Sequence, residues 1–268
     1  MAAKSPPSKA GASMEKIHAT AIVEDGAVLG SDVEIGPHAV VGSNVVLGDG
    51  CKVFGHAMIS GHTKLGERCE VYPFAHIGGK TQDLKYAGGT TYVEIGARTV
   101  LRECVTVNSG TRDGEVTKIG ADCLLMAYCH VAHGCNIGDH LIVSNGTSFA
   151  GEVLTEEHVT VSGLCGVHQF CRIGCHAMIG PSTIILQDAP PYMITMGAEV
   201  KGVNIVGLTR RGFSEEARDA IKSAYKAIYR SGLNTTDAIA KIESELPHTP
   251  ELEHLVDFYK TSQRGVIR

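Results

Sequence analysis

Residues 119–137 read Ile-Gly-Ala-Asp-Cys-Leu, Leu-Met-Ala-Tyr-Cys-His, Val-Ala-His-Gly-Cys-Asn and Ile. Ile119, Leu125, Val131 and Ile137 therefore fall every six residues, with Cys123, Cys129 and Cys135 four places after an aliphatic. The register runs on through Val143, Phe149, Thr155, Val161, Val167, Ile173, Ile179 and Ile185, and Thr155 alone is not apolar. An earlier run extends from Ile17 to Ile77, and a short one joins Ile95, Leu101 and Val107; the register lapses at residues 79–94 and 108–118. A helix needs apolar residues at three-and-four spacing and a half-buried strand needs alternation, so a strict period of six fits neither. It fits short strands joined by turns. Three hexads close one triangular coil of 18 residues, which stacks on the next at roughly 4.8 Å with its aliphatics pointing inward.

This geometry also assigns the cysteines. Seven of nine, namely Cys51, Cys69, Cys123, Cys129, Cys135, Cys165 and Cys171, share the small-residue position and read as core spacers. Six-residue spacing puts Cys123, Cys129 and Cys135 on three different faces, which speaks against a metal or disulfide cluster. Many cysteines without a secretory segment fit a reducing compartment. A net charge of −5, with no clustered basic surface, excludes a nucleic-acid binder. No stretch of about 20 apolar residues is available to cross a membrane.

The predicted architecture is an all-β left-handed parallel β-helix over residues 15–190, followed by a small helical domain over 191–268. Residues 1–14 are expected to be a disordered extension. Ser214-Glu215-Glu216 should cap a helix that Gly232 ends; Thr235 or Thr236 should open a second through Leu246, and Thr249 or Pro250 a third through about Ser262. His38, His56, His62, His140, His158 and His176 lie three places after an aliphatic, a position read as solvent-facing.

Three stretches escape the repeat: 81–88 (Thr-Gln-Asp-Leu-Lys-Tyr-Ala-Gly), His130-Val131-Ala132-His133, and 203–214 with its Thr-Arg-Arg-Gly-Phe-Ser end. Together with Tyr229-Arg230-Ser231-Gly232 and the terminal 264–268, they closely resemble the UDP-N-acetylglucosamine O-acyltransferases that begin lipid A synthesis. Moving an acyl group from a thioester to a sugar hydroxyl needs a base active near neutral pH, a role suited to histidine. The resemblance implies His133 as general base and the Gly151 N–H as oxyanion donor. It implies substrate contacts from Gln82, Asp83, Lys85, His130, His168, Gln169, Asn204, Arg210 and Arg211, the two arginines suiting a diphosphate. No metal or resident cofactor is implied, because the acyl group arrives on the phosphopantetheine of acyl carrier protein. The partners implied are that carrier, docked on Lys201, Arg210, Arg211 and Arg218, the sugar nucleotide, and two further copies in a homotrimer.

Family members usually carry Asp directly after the base, where this chain has Gly134. They usually carry His at positions 108 and 152, here Asn108 and Glu152, Glu where this chain has Val206, and a small residue in place of Pro181. A catalytically silent scaffold and a γ-type carbonic anhydrase using His130 and His133 are the alternatives. The short basic start favours a mitochondrial location slightly over a bacterial cytoplasm.

Overall fold

The computed structural model describes residues 16–268, so the expectation for residues 1–14 lies outside the described residues. Strands of two to five residues stack into three sheets of nine, eight and ten strands that form the faces of a prism, parallel throughout except for the last strand of the ten, Glu199–Val203, which pairs antiparallel. Val143 pairs with Val161 and Val161 with Ile179, which fixes the 18-residue coil. The same offset recurs where Ser31 N donates to Asp49 Oδ1 across |i−j| = 18. The aliphatics fill a single internal file: Leu125, Val131, Val143, Phe149, Val161 and Ile179 are all at 0% exposure. Each such side chain contributes roughly 1.5–3 kcal/mol by leaving water. Thr155, the polar exception, is buried, and its hydroxyl accepts the Gly138 N–H at 3.1 Å.

The corners explain why so few turns need glycine. Tyr128, His140, Glu152, His158, Leu164, Phe170 and His176 all adopt a left-handed backbone, with φ between 55° and 64°. For a residue with a Cβ this costs on the order of 1 kcal/mol or more, and stacking holds it in place. His140 N donates to Ala121 O at 2.9 Å, His158 N to Asp139 O at 2.9 Å, and His176 N to Glu157 O at 3.1 Å. At the inner corner the cysteines add a bond of their own. Cys51, Cys135 and Cys165 thiols donate to the carbonyls of Gly66, Ala150 and Gly180 at 3.0, 3.1 and 3.1 Å. All nine cysteines are free and only Cys104 is not fully buried.

Both lapses of the repeat are excursions from one edge. Residues 80–91 leave between His76–Gly79 of the nine-stranded sheet and Tyr92–Ile95 of the eight-stranded sheet. Residues 109–115 leave between Thr106–Asn108 and Val116–Ile119 of the same two sheets. Pairing resumes in register on either side, with Ile95 on Leu65 and Ile119 on Ile95.

Several expectations need correction. The segment after residue 190 begins with a β-hairpin, Met193–Met196 with Glu199–Val203, that extends the ten-stranded sheet before any helix starts. Met193 and Thr195 point inward in true alternation, a signal too short to stand out once the hexads stop. A first helix, α1 (Ile205–Arg210), was not foreseen; the Asn204 side chain caps it by accepting from Gly207 N. Helix α2 (Glu215–Tyr229) starts at Ser214 as expected, and α4 (Pro250–Thr261) starts after Thr249. Helix α3 (Thr235–Glu245) is capped by Asn234, whose side chain accepts from Asp237 N at 2.9 Å, rather than by a threonine. The helices bury Ile221, Ala224, Ile228, Ile242 and Leu255 among themselves. They are tied to the prism by Glu156–His254 at 2.7 Å and by Arg172 over the Phe258 ring at 4.2 Å.

His140, His158 and His176 do not face open solvent as their phase suggests. They stack face to face along one edge, with centroids 4.4 and 4.9 Å apart, and each is half-buried by the next. Flat rings repeated every coil cover one another, which a single-residue reading of phase cannot register.

Candidate active site

His133 follows the strand His130–Val131 and turns the corner between the nine- and eight-stranded sheets, the edge from which both excursions leave. Its side chain is 18% exposed, and its Nε2 stands 3.6 Å from Asp83 Oδ2. Asp83 reaches that point because the first excursion is pinned to the second: Thr81 Oγ1 and Thr111 Oγ1 are 2.9 Å apart, and Asp83 N donates to Thr81 Oγ1 at 3.1 Å. Its Oδ1 accepts from Lys85 N at 2.9 Å, which leaves Oδ2 facing the imidazole.

One coil on, Gly151 lies directly against the ring; a Cβ there would sit 2.3 Å from His133 Nε2 and 2.4 Å from Cε1. Only glycine leaves room for the imidazole. The flanking amides of Ala150 and Glu152 are used in the coil-to-coil ladder, donating to Val167 and His133 carbonyls, whereas Gly151 N has no acceptor among the described residues. An unspent amide beside an imidazole is a donor that an oxyanion could use.

His130 precedes the core Val131 on the same strand, with its Nδ1 2.7 Å from Thr106 Oγ1; burial lowers its pKa from the usual 6.5. His168 and Gln169 are exposed one coil above Gly151 on the same edge, with His168 Nδ1 3.1 Å from Gln169 O. Gln82 and Lys85 are exposed on the excursion, beside a fully exposed Leu84.

The remaining three expected residues are elsewhere. Asn204, Arg210 and Arg211 lie with His158, His176 and Thr160 around a depression on the edge between the eight- and ten-stranded sheets. The Asn204 amide is not free, since Nδ2 donates to His176 O at 2.9 Å and Oδ1 accepts from Gly207 N at 3.1 Å. Among the described residues neither Arg210 nor Arg211 has a carboxylate partner, whereas Lys201 pairs with Glu199 and Arg218 donates to Thr209.

Sequence reasoning missed Glu115 and the role of Arg112, and noted Glu152 only as a departure. Glu152 Oε1 accepts from Arg112 Nη2 at 3.2 Å, and Glu115 holds the Thr111 amide. Glu115, His133 and Glu152 form one of three groups among the described residues with ligand atoms within 4.8 Å of one another; the others are Glu156–Cys175–His254 and Glu157–Cys175–His176. None of the three contains three histidines, and none joins His130 to His133, as the carbonic anhydrase alternative requires.

A parallel prism of hexads, with an imidazole, a carboxylate and a free amide gathered at one corner, has the architecture of a hexapeptide-repeat transferase. Residues 117–151 match the bacterial transferase hexapeptide model, and residues 188–267 match the second domain of UDP-N-acetylglucosamine O-acyltransferase. The chain is 52% identical over 255 residues to an acyl-[acyl-carrier-protein]–UDP-N-acetylglucosamine O-acyltransferase of Anaeromyxobacter dehalogenans, covering 94% of this chain and 99% of that one. A relative of the same name from Thiobacillus denitrificans is 48% identical, covering 95% and 100%. Among solved structures, a UDP-N-acetylglucosamine acyltransferase from Bacteroides fragilis superposes with a TM-score of 0.92 at 42% identity, over 94% of this chain and 100% of that one. The Arabidopsis enzyme gives 0.84 at 33%, over 94% and 100%. The chain belongs to the acyl-[acyl-carrier-protein]–UDP-N-acetylglucosamine O-acyltransferase family.

Proposed function

We propose that the protein transfers a 3-hydroxyacyl group from acyl carrier protein to the 3-hydroxyl of UDP-N-acetylglucosamine, the first step of lipid A synthesis. The observation that carries this reading is His133 Nε2 lodged between the Asp83 carboxylate and Gly151, whose N–H is unspent. His133 takes the hydroxyl proton as the sugar oxygen attacks the thioester carbonyl. The Gly151 N–H stabilises the resulting oxyanion. Collapse of the tetrahedral species breaks the C–S bond, and the imidazolium returns its proton to the leaving thiolate. Because the acyl group arrives as a thioester, the chemistry needs no metal. Asp83 orients the sugar, with Gln82 and Lys85 beside it, and His130, His168 and Gln169 line the way along the same edge.

Arg210 and Arg211 suit the diphosphate, yet they stand across the eight-stranded sheet from His133. A convex prism cannot fold one edge onto another, so a single substrate reaches both only where two copies meet. A closed ring of three prisms sets one edge of each beside the other edge of its neighbour, which supports a homotrimer. Acyl carrier protein would dock on unpaired basic residues, with Arg210 and Arg211 better placed than the engaged Lys201 and Arg218. No helix among the described residues is long and apolar enough to cross a membrane. The curated relatives named above are bacterial, and a mitochondrial location gains no support from them.

The test is turnover of UDP-N-acetylglucosamine by purified protein with acyl-carrier thioesters of graded chain length. Formation of the 3-O-acyl sugar nucleotide and free carrier thiol is expected. No turnover at any length would favour the silent scaffold.

A further inference from the structure

The corner beneath His133 contains a carboxylate that the acyl transfer itself does not use. Gly134 occupies the left-handed turn, at φ +65°, where the next two coils place Glu152 and Phe170. A Cβ at Gly134 would lie 2.9 Å from the Glu152 Cδ and 3.1 and 3.2 Å from its two oxygens. The volume that a side chain following the base would fill is thus taken by a carboxylate from one coil away. The register is fixed, since Glu152 N donates to His133 O at 2.9 Å.

For Nε2 to accept a proton, the neutral ring must carry its hydrogen on Nδ1. That Nδ1 is buried and has no hydrogen-bond partner in the resting arrangement. A buried N–H without an acceptor costs roughly 1–3 kcal/mol, and an imidazolium left so costs more. The acceptors at hand are the carboxylates of Glu115 and Glu152, which with an imidazole nitrogen lie within 4.8 Å of one another. Glu115 is committed to the amides of Thr111 and Arg112. Glu152 accepts from Arg112 and from no backbone amide among the described residues, with the Glu115 carboxyl beside it.

We propose that Glu152 is the positioning residue of the base, accepting the Nδ1–H of His133 directly or through one water and stabilising the imidazolium that forms during transfer. The inference rests on His133 being the base. No proton moves to Glu152: the hydroxyl proton goes to Nε2 and later to the thiolate, while Nδ1 keeps its own. Burial and the neighbouring Glu115 push the Glu152 carboxyl up, and the positive charges of Arg112 and of a protonated His133 oppose them. The ionised carboxylate is therefore favoured most when the imidazole is charged, so the contact strengthens on the way to the transition state. It should be read in kcat and not in substrate affinity.

Glu152→Gln keeps the shape and removes the charge. It should lower kcat roughly 10- to 100-fold, with KM for UDP-N-acetylglucosamine within about threefold of the parent. Returning a carboxylate from the neighbouring turn supplies a readout that a structural role would not move. Glu152→Asn should lose activity, and Gly134→Asp added to it should recover at least about tenfold, since Asn and Asp both tolerate the left-handed turn. A Glu152→Gln enzyme within twofold of the parent kcat, or no gain in the double variant, overturns the inference. His133→Ala is assayed in parallel. If it keeps turnover, the base assignment fails; if it is inactive while Glu152→Gln is unchanged, only the positioning role fails.

Discussion

On one edge of the prism the left-handed turns of successive coils are Gly134, Glu152 and Phe170; on the edge across the eight-stranded sheet they are His140, His158 and His176. The second edge obeys the repeat, and its rings stack into a column closed by the edge of Phe213, 4.9 Å from His176. Burial there holds His158 and His176 below the ordinary range, His176 at about 4, with the neighbouring cations adding to the effect. The His158 and His176 imidazoles are therefore neutral at pH 7, and they pack. The first edge interrupts the repeat at residues 80–91 and 109–115, and these two excursions bring Asp83, Arg112 and Glu115 into the space. Histidine chemistry in this chain thus depends less on the residue than on whether its column is interrupted: a complete stack spends each ring on its neighbours, and a gap lets charges reach it.

The sharpest way to break that contrast is to remove one histidine from each edge. His133→Ala should lower kcat by roughly 10²–10⁴-fold with little change in sugar-nucleotide affinity, whereas His140→Asn should leave kcat within about threefold. Steady-state kinetics of the two variants decide it. Equal losses would mean that interruption of the column has no bearing on function.

Arg211→Ala tests whether the stacked edge serves a neighbour's substrate. KM for UDP-N-acetylglucosamine should rise roughly 10- to 100-fold with kcat nearly kept, as expected when a charge-assisted phosphate contact is lost. If each site draws His133 from one copy and Arg211 from the next, unfolding and refolding an equal mixture of the His133→Ala and Arg211→Ala proteins should restore roughly one quarter of the parental sites. Activity no higher than the sum of the two variants would return both residues to one chain.

Acid separates the two edges more gently. Because the folded pKa of His176 is depressed to about 4 from 6.5, the unfolded chain binds more protons between these values. The stability that His176 contributes is present above pH 6.5 and is lost as pH falls through about 4. Melting temperature should fall by roughly several degrees between pH 6.5 and 4.5, and His176→Asn should flatten that slope.

The smallest effect lies at the join between prism and helices. The Glu156 hydrogen bond raises His254, with burial opposing; burial pushes the Glu156 carboxyl up, and the His254 bond, the Cys175 amide and the His254 and Arg172 charges together outweigh burial and lower it. The His254 contribution is full below about 6.5 and fades as pH rises through its raised value. The Glu156 contribution is full above about 4.5 and fades as pH falls through its lowered value. With His254 more than a third exposed, His254→Gln should cost at most about 1 kcal/mol near pH 5.5, by denaturant titration, and less at pH 8.

The prism was legible because a period of six repeats the same steric demand at every coil, and no single residue has to be read correctly. The hairpin at Met193–Val203 and helix α1 occur once each, and their local signals are a few residues long. His133 could be found from its resemblance and its phase. The closeness of Glu115 and Glu152 could not, because it depends on how the second excursion folds back and on which coil pairs with which. Gly134 and Glu152 are 18 residues apart, a relation that is visible only once the coil length is applied to departures from the repeat as well as to the aliphatics that define it.

The inner-corner thiols give the prism a built-in recorder of its own opening. Cys123 and Cys135 are held up at about 11 and 12 by burial, so little thiolate is available to an alkylating reagent while the coils stay stacked. Coils that peel away would uncover their cysteines in groups, Cys51 and Cys69 toward one end, Cys123 to Cys135 in the middle and Cys165 to Cys175 toward the other end. The order in which these groups are modified under mild denaturation would then report from which end the ladder comes apart.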